Sequence, residues 1–297
     1  GELRGITYVK NGLQHSVETR AAVLAIGHSA RDTYAMLHAA GLRMEPKPFA
    51  VGIRIEHKRE FIDRAQYGAA FGHPALGAAE YRLTSRWGER GVYTFCMCPG
   101  GEVICSATEP DGVAVNGMSY YARDGENSNS AVVVAVSPAD FEPGALGGVA
   151  FQRRMERAAY ALAGGGFAAP AQTLGDFFAG RATRVFSGVT PTYRPRVTGA
   201  DLHECLPDFV AAAIAEGLRH FGRKLKGFDS PDAVRTGVET RTSAPLRLVR
   251  DASFQAEGVA GLFPAGEGAG YAGGIVSAAV DGIKCAEALM REFAPPA

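Results

Sequence analysis

The stretch GLFPAGEGAGYAGGIVSAAVDGIKCAEALM, Gly261 to Met290, sets five glycines, Gly266, Gly268, Gly270, Gly273 and Gly274, between a hydrophobic strand and a small-residue helix. Glycines at that density remove side chains where a backbone must bend sharply or press against something flat. The strand is expected to stop near Ala265 and the helix to start near Gly273 or Gly274. A helix N-terminus carries unpaired N–H groups and about half a positive charge, which suits an anion or negative charge developing on a ligand. Gly273 and Gly274 leave those groups uncovered, with Ile275 beside them. Gly266 and Glu267 fall at the carboxyl end of the strand, where open α/β sheets bind ligands, and the carboxylate can accept from sugar or ribityl hydroxyls. Ser277, Ala278, Ala279 and Gly282 are expected to let the helix pack closely on a sheet. The plainer alternative is a tight turn with a solvated glutamate. Several glycines and an acid at one sheet edge favour binding.

Toward the N-terminus, ITYVKNGLQHSVETRAAVLAIGHSARDTYAMLHAAGL reads as a strand, an Asn11-Gly12 turn, a second strand, and an apolar strand from Ala21 to Ile26. A helix from about Ser29 to Ala40, closed by Gly41, follows. An apolar strand running straight into a helix is a piece of an α/β sheet covered on both faces. Gly27 ends that strand, as a glycine does in many α/β proteins, and gains meaning only beside the glycine-rich segment. EPKPFAVG breaks the pattern with two prolines. From Phe49 to about Val136 the segments are β-type with Gly-rich turns, and amphipathic helices follow in GVAFQRRMERAAYALAG and PDFVAAAIAEGLRHFGRKLKG. The order α/β, β-rich, helical, α/β fits one domain inserted into another: residues 1–47 and 236–297 form the outer domain and 48–235 the insert.

Composition narrows the function. Lys plus Arg equals Asp plus Glu at 31 each, so no global field draws the chain to nucleic acid or an anionic membrane. Apolar runs fall far short of the ~20 residues a membrane helix needs. Five cysteines without regular spacing or a signal peptide read as reduced thiols in a cytoplasmic setting. The seven histidines offer no metal pairing, no metal site is expected, and no Gly-x-Ser-x-Gly elbow supports hydrolysis. The first residue is Gly1, not Met, so the chain reads as a piece of a longer protein.

Two further groups stand out. In GVETRTSAP, Arg241 could hold a carboxylate, phosphate or flavin carbonyl by its planar fork, with the Thr242 and Ser243 hydroxyls donating beside it. The alternative is a surface strand with a proline stop. In FCMCPGG, Cys96 and Cys98 would share a strand face, spaced ~6.5 to 7 Å apart along the backbone, the limit for a disulfide. They read either as buried small hydrophobes or, for Cys98, as a redox thiol exposed by the Pro-Gly-Gly that follows it.

Five blocks carry a resemblance across nearly the whole chain, in order: VLAIGHSARDTYAMLHAAGLRMEPKPFAVGIRIEH, YTFCMCPGGEV, VNGMSYYARDGENSNSA, GVETRTSAPLRLVRD and LFPAGEGAGYAGGIVSAAVDGIKCAE. The sequence resembles the bacterial FAD-dependent (NAD-utilising) dehydrogenase family, similar in plan to two-dinucleotide-fold flavoproteins. The resemblance implies an α/β FAD/NAD(P)-binding Rossmann-like domain, incomplete at its N-terminal side, interrupted by an inserted substrate domain of mixed β-sheet plus helices. It implies FAD as cofactor, with Glu267 at the ribityl or phosphate region, the Gly273-Gly274 helix at the flavin pyrimidine edge, and Gly27 in a second cofactor motif. The Gly-x-Gly-x-x-Gly fingerprint is missing from any suitable first βα unit, so the adenosine half of the site is expected in a part preceding this chain. Hydride transfer to or from a small-molecule substrate, with NAD(P)H as a donor, is the implied chemistry. A tRNA-modifying flavoprotein and a non-catalytic flavin-binding protein are the rival readings.

Overall fold

The computed structural model describes residues 1–293. The chain folds as two compact units, one made of Gly1–Phe49, Ser137–Phe151 and the chain from Thr242 onward, the other of Ala50–Val136 and Gln152–Arg241.

The first unit opens with an antiparallel hairpin, Gly5–Lys10 with Leu13–Glu18, reversing at Asn11 and Gly12, both at positive φ. That is the Asn-Gly turn whose twist matches the flanking strands. Ala22–Leu24 then pairs in parallel with Leu262–Pro264, while Met44–Pro46 pairs antiparallel with Leu246–Leu248. The apolar run is therefore paired over three residues rather than the expected Ala21 to Ile26, because the chain leaves the ladder toward Gly27, at φ 72°. Nor is the strand covered on both faces, since Val23 is 46% exposed. The helix Arg31–Ala39 starts at Ala30 without a side-chain cap; Ser29 instead pairs with His28. Gly41 closes it in the left-handed region. Tyr34, Leu42, Val149, Leu246, Leu248, Ala256 and Ala269 form the core of this unit.

The second unit is built on a seven-stranded mixed sheet. Its strands run in the order Val197–Gly199, Ala169–Thr173, Val234–Glu239, Phe49–Lys58, Asn127–Val136, Arg90–Cys98, Thr84–Trp87. Neighbours are antiparallel at most junctions and parallel between Ala169–Thr173 and Val197–Gly199. Helix Asp208–Lys224 buries Val210, Ile214, Leu218 and Phe221 along one stripe, the i, i+4 spacing its sequence carries. Pro207 stands at its N-cap, and Gly227, past its end, has φ 87°. No helix among the described residues is long and apolar enough to cross a membrane.

Phe49–Lys58 and Asn127–Val136 are buried along almost their whole length, the pattern of strands covered on both faces. Their approach depends on Gly52: a Cβ there would lie 2.0 Å from the Val132 carbonyl oxygen. Backbone cannot yield as a side-chain tip can, so Gly52→Ala is expected to lower stability by about 3 kcal/mol or more in urea unfolding. An unfolding midpoint equal to that of the unaltered chain would show that the two strands do not approach this closely.

Candidate functional site

The parallel pair in the first unit sends both strands out in the same direction, and their carboxyl ends carry Gly27 and Gly266–Gly274. There the two loops meet backbone to backbone: a Cβ on Gly268 would stand 2.5 Å from the Gly27 carbonyl oxygen and 2.6 Å from its nitrogen. Only glycine fits this crossing. The Tyr34 hydroxyl clamps it, lying 2.7 Å from the Gly268 carbonyl oxygen and 3.3 Å from that of Gly27. Burial, then the nearby Glu267 carboxylate, keep this phenol protonated by raising its pKa.

Helix Ile275–Phe293 follows the loop and is fastened to it by a buried ion pair. Asp281 accepts from Arg250 Nη2 at 2.5 Å and Nη1 at 3.0 Å, and from the Gly266 amide at 2.7 Å. Arg250 Nη1 also donates to the Pro264 carbonyl at 2.8 Å, so one guanidinium joins strand end, loop and helix. Burial opposes the Asp281 charge, but Arg250 and the Gly266 amide outweigh it and hold the carboxyl below its ordinary range. This anchoring corrects the expectation that Ser277, Ala278, Ala279 and Gly282 seat the helix on a sheet. Ser277 and Ala279 are exposed, Gly282 has open space where its Cβ would be, and the inward positions are Asp281 and Cys285.

The helix begins at Ile275, as the glycines anticipate, and Ile275 is itself 91% exposed. A Cβ on Gly273 or on Gly274 would meet nothing within 4 Å. One N–H is already used within the chain, since the Gly273 amide donates to Ser277 Oγ at 3.2 Å. Earlier in the loop Glu267 is half-buried, its carboxyl raised by burial against the pull of Lys47. Lys47 is in turn lowered by burial and by Arg247, with Glu267 acting the other way. An acceptor and a donor, both partly desolvated, thus stand near each other by the Tyr34-clamped crossing at the carboxyl ends of parallel strands, and the helix N-terminus follows a few residues on. A planar group with polar edges fits that arrangement.

Arg241 does not join this group. It closes the second unit, buried, with its fork on Glu156: Nε to Oε1 at 3.1 Å and Nη2 to Oε2 at 3.0 Å, while Nη1 donates to Thr108. The fork expected for a ligand serves an internal bidentate pair. Thr242 and Ser243 stand half-buried where the chain re-enters the first unit.

The second unit holds a polar cluster of its own around Arg54, which is 0% exposed. Its Nε donates to Asn129 Oδ1 at 2.8 Å, Nη1 to both Glu239 oxygens at 3.3 Å, and Nη2 to Cys98 Sγ at 3.2 Å and to the Cys96 carbonyl. Gly117 makes room for it, since a Cβ there would lie 2.1 Å from Nη2. Burial opposes the Arg54 charge, yet Glu239 and the two cysteines more than offset this and raise its pKa. Burial pushes Glu239 up to about 7 despite that same guanidinium. Farther along the strand that carries Arg54, Glu56 accepts from the Thr192 amide and from Asn127, each at 3.1 Å. The sequence carried one signal for these groups: Arg54 and Glu56 alternate with Ile53 and Ile55 at period two.

The cysteine pair differs from its expected geometry. Phe95 pairs with Ala131 and Cys98 with Asn129, so Cys96 and Met97 together face the single residue Ser130. This is a bulge, with Cys96 at φ 44°. The extra residue breaks the alternation: Cys98 is buried, in line with the reading as a small buried hydrophobe and against the exposed redox thiol, whereas Cys96, expected to share its strand face, is exposed.

Comparison with known proteins places the chain in a family. The sequence matches the family described as FAD-dependent protein, C-terminal domain-like, over residues 48–242. The chain belongs to it. It is also 50% identical over 304 residues to an uncharacterized protein of Clostridium beijerinckii, covering 99% of this chain and 57% of that protein. The chain therefore spans little more than half the length of that relative.

The buried Glu239 gives a pH dependence with a definite sign. Its folded pKa, about 7, lies above the ordinary carboxyl value of 4.5, so between those values the folded state binds more protons than the unfolded one. Stability from this group is full below the unfolded pKa and is lost as pH rises through the folded pKa. Urea unfolding from pH 4.5 to 7 should show a decline that Glu239→Gln flattens. An equal decline in both proteins would remove Glu239 as its source.

Proposed function

We propose that the protein is a flavin-dependent oxidoreductase whose first unit supplies the flavin-facing half of an FAD site. The observation that carries this reading is the Gly27–Gly268 crossing at the carboxyl ends of two parallel strands, opening onto Gly273 and Gly274, where a Cβ would meet nothing. Membership of an FAD-dependent family supports it. Bound FAD would supply two-electron, hydride-accepting chemistry. Around it, the Gly273–Gly274 segment would lie flat against the ring edge, and the helix N-terminus would favour negative charge at that edge. Glu267 would accept from ribityl hydroxyls, and Lys47 would offer a donor whose charge Glu267 helps retain. Tyr34 would act only by holding the crossing. The residues from 48 to 235 are read as a domain that takes a small-molecule substrate, and NAD(P)H is the proposed electron donor.

The visible absorption spectrum of the full-length protein tests this reading, followed by anaerobic titration with NADH and NADPH. A flavin spectrum bleached by one of the two nucleotides is expected. A colourless full-length protein that takes up no added FAD contradicts it. Within the site, Gly274→Val should cost more flavin than Glu267→Gln. The β-branched side chain fills the open space and covers N–H groups, whereas glutamine keeps an acceptor of equal length. Because nothing in the chain itself occupies that space, Gly274→Val should leave the stability of the apoprotein within about 0.5 kcal/mol of the unaltered value. Equal flavin retention by the two variants would move the flavin away from this helix.

A further inference from the structure

Among the described residues the strand Ala22–Leu24 is paired on one edge, against Leu262–Pro264. The Ala22 amide donates to the Gly261 carbonyl at 2.9 Å, and the Leu24 carbonyl accepts from the Ala265 amide at 3.1 Å. Backbone groups alternate from edge to edge along a strand, so the N–H and C=O of Val23 point the other way. Paired residues project to the same face of a sheet, yet Val23 is 46% exposed while its partner Phe263 is fully buried, its ring against Phe293. The helix Ile275–Phe293 repeats the contrast. Asp281 and Cys285 face inward, and Val276, Val280, Ile283 and Met290 form an exposed apolar stripe on the opposite side, at helical spacing. A surface helix turns polar residues outward, whereas one that is apolar on its outer side packs against a second layer.

We propose that this surface is the docking site for the rest of the full-length protein: a further strand pairs along the Val23 edge, and an apolar helix of the same portion covers the stripe from Val276 to Met290. The occupant follows from length. The chain aligns over 99% of itself with only 57% of the Clostridium relative, so a large part of such a protein lies outside these 297 residues. Its chemistry follows from the surface. Parallel sheets are covered on both faces, and a two-stranded pair is marginal by itself. A parallel strand reaches its neighbour through a crossover that is usually an α-helix, so an added strand brings with it a helix packed on the sheet, the element that fits the stripe. Docking of this kind needs no flavin and stands whether or not the flavin reading holds.

The experiment is oxidation of methionines by hydrogen peroxide in the full-length apoprotein, read by peptide mass spectrometry in the folded and the urea-unfolded state. Met290 is 61% exposed in this chain, which by itself gives a rate near the unfolded one. If the stripe is covered, Met290 in the folded full-length protein should oxidise on the order of tenfold more slowly than when unfolded. Ile283→Asp should restore fast oxidation at Met290 and lower the urea midpoint of the full-length protein, whereas the same change at a solvent-facing position is close to neutral. A folded full-length protein whose Met290 oxidises at the unfolded rate, or an Ile283→Asp protein that unfolds at the unaltered midpoint, would overturn the proposal. Protection lost on dilution, as the mass falls from dimer to monomer, would assign the stripe to a second copy and overturn it as well. A colourless protein can pass this test and a flavin-bound one can fail it, so the outcome is separate from that of the flavin reading.

Discussion

The geometry of the first unit hangs on the ion pair between Arg250 and Asp281. Asp281 lies on the terminal helix, Arg250 on the segment before the last strand, and the two meet at the amide of Gly266, the first residue of the glycine-rich loop. Since Arg250 also holds the Pro264 carbonyl, removing either charge would release strand end, loop and helix together. Breaking a buried pair by taking one partner costs several kcal/mol, of the order of 3 to 5, mostly because the other charge stays buried and uncompensated. With the loop held at Gly266, its next turn presses Gly268 onto Gly27, and the Tyr34 hydroxyl closes the contact. The helix N-terminus, with Gly273 and Gly274 free of side chains, is then fixed relative to the carboxyl ends of the two parallel strands. That relation is what makes the segment able to receive a flat ligand.

The second unit solves a different problem, that of charge inside a sheet. Arg54 and Glu239 stand on neighbouring strands, Phe49–Lys58 and Val234–Glu239, and both are removed from water. The guanidinium is stabilised by directed hydrogen bonds from several sides, including Asn129 and Cys98, rather than by the ion pair alone. Bulges serve this arrangement. One gives the strand an extra residue between Gly237 and Glu239, another sets Cys96 and Met97 against Ser130. Each re-aims side chains that regular alternation would send elsewhere.

Much of this was legible in the sequence where backbone chemistry is local. The Asn11-Gly12 hairpin, the helix closed by Gly41 and the glycines ahead of Ile275 all follow from residue type and spacing. Partners distant in the chain were not legible. Arg241 looked like an exposed anion-binding fork because nothing in its neighbourhood shows that Glu156 occupies it. Asp281 is one acid on a helix of small residues, and its partner Arg250 is 31 positions away. That Cys96 and Cys98 do not share a strand face has the same origin, since a bulge is a property of two strands and Ser130 lies far along the chain.

A flavin resting against the loop from Gly266 to Gly274 and against Gly27 is the central claim. Hydrogen exchange of the full-length apoprotein with and without added FAD addresses it directly. Slowed exchange at the amides of Gly27 and of the segment from Gly266 through Ser277 is expected when FAD binds. Binding of FAD with protection confined to other segments, leaving these amides exchanging as in the apoprotein, would contradict it.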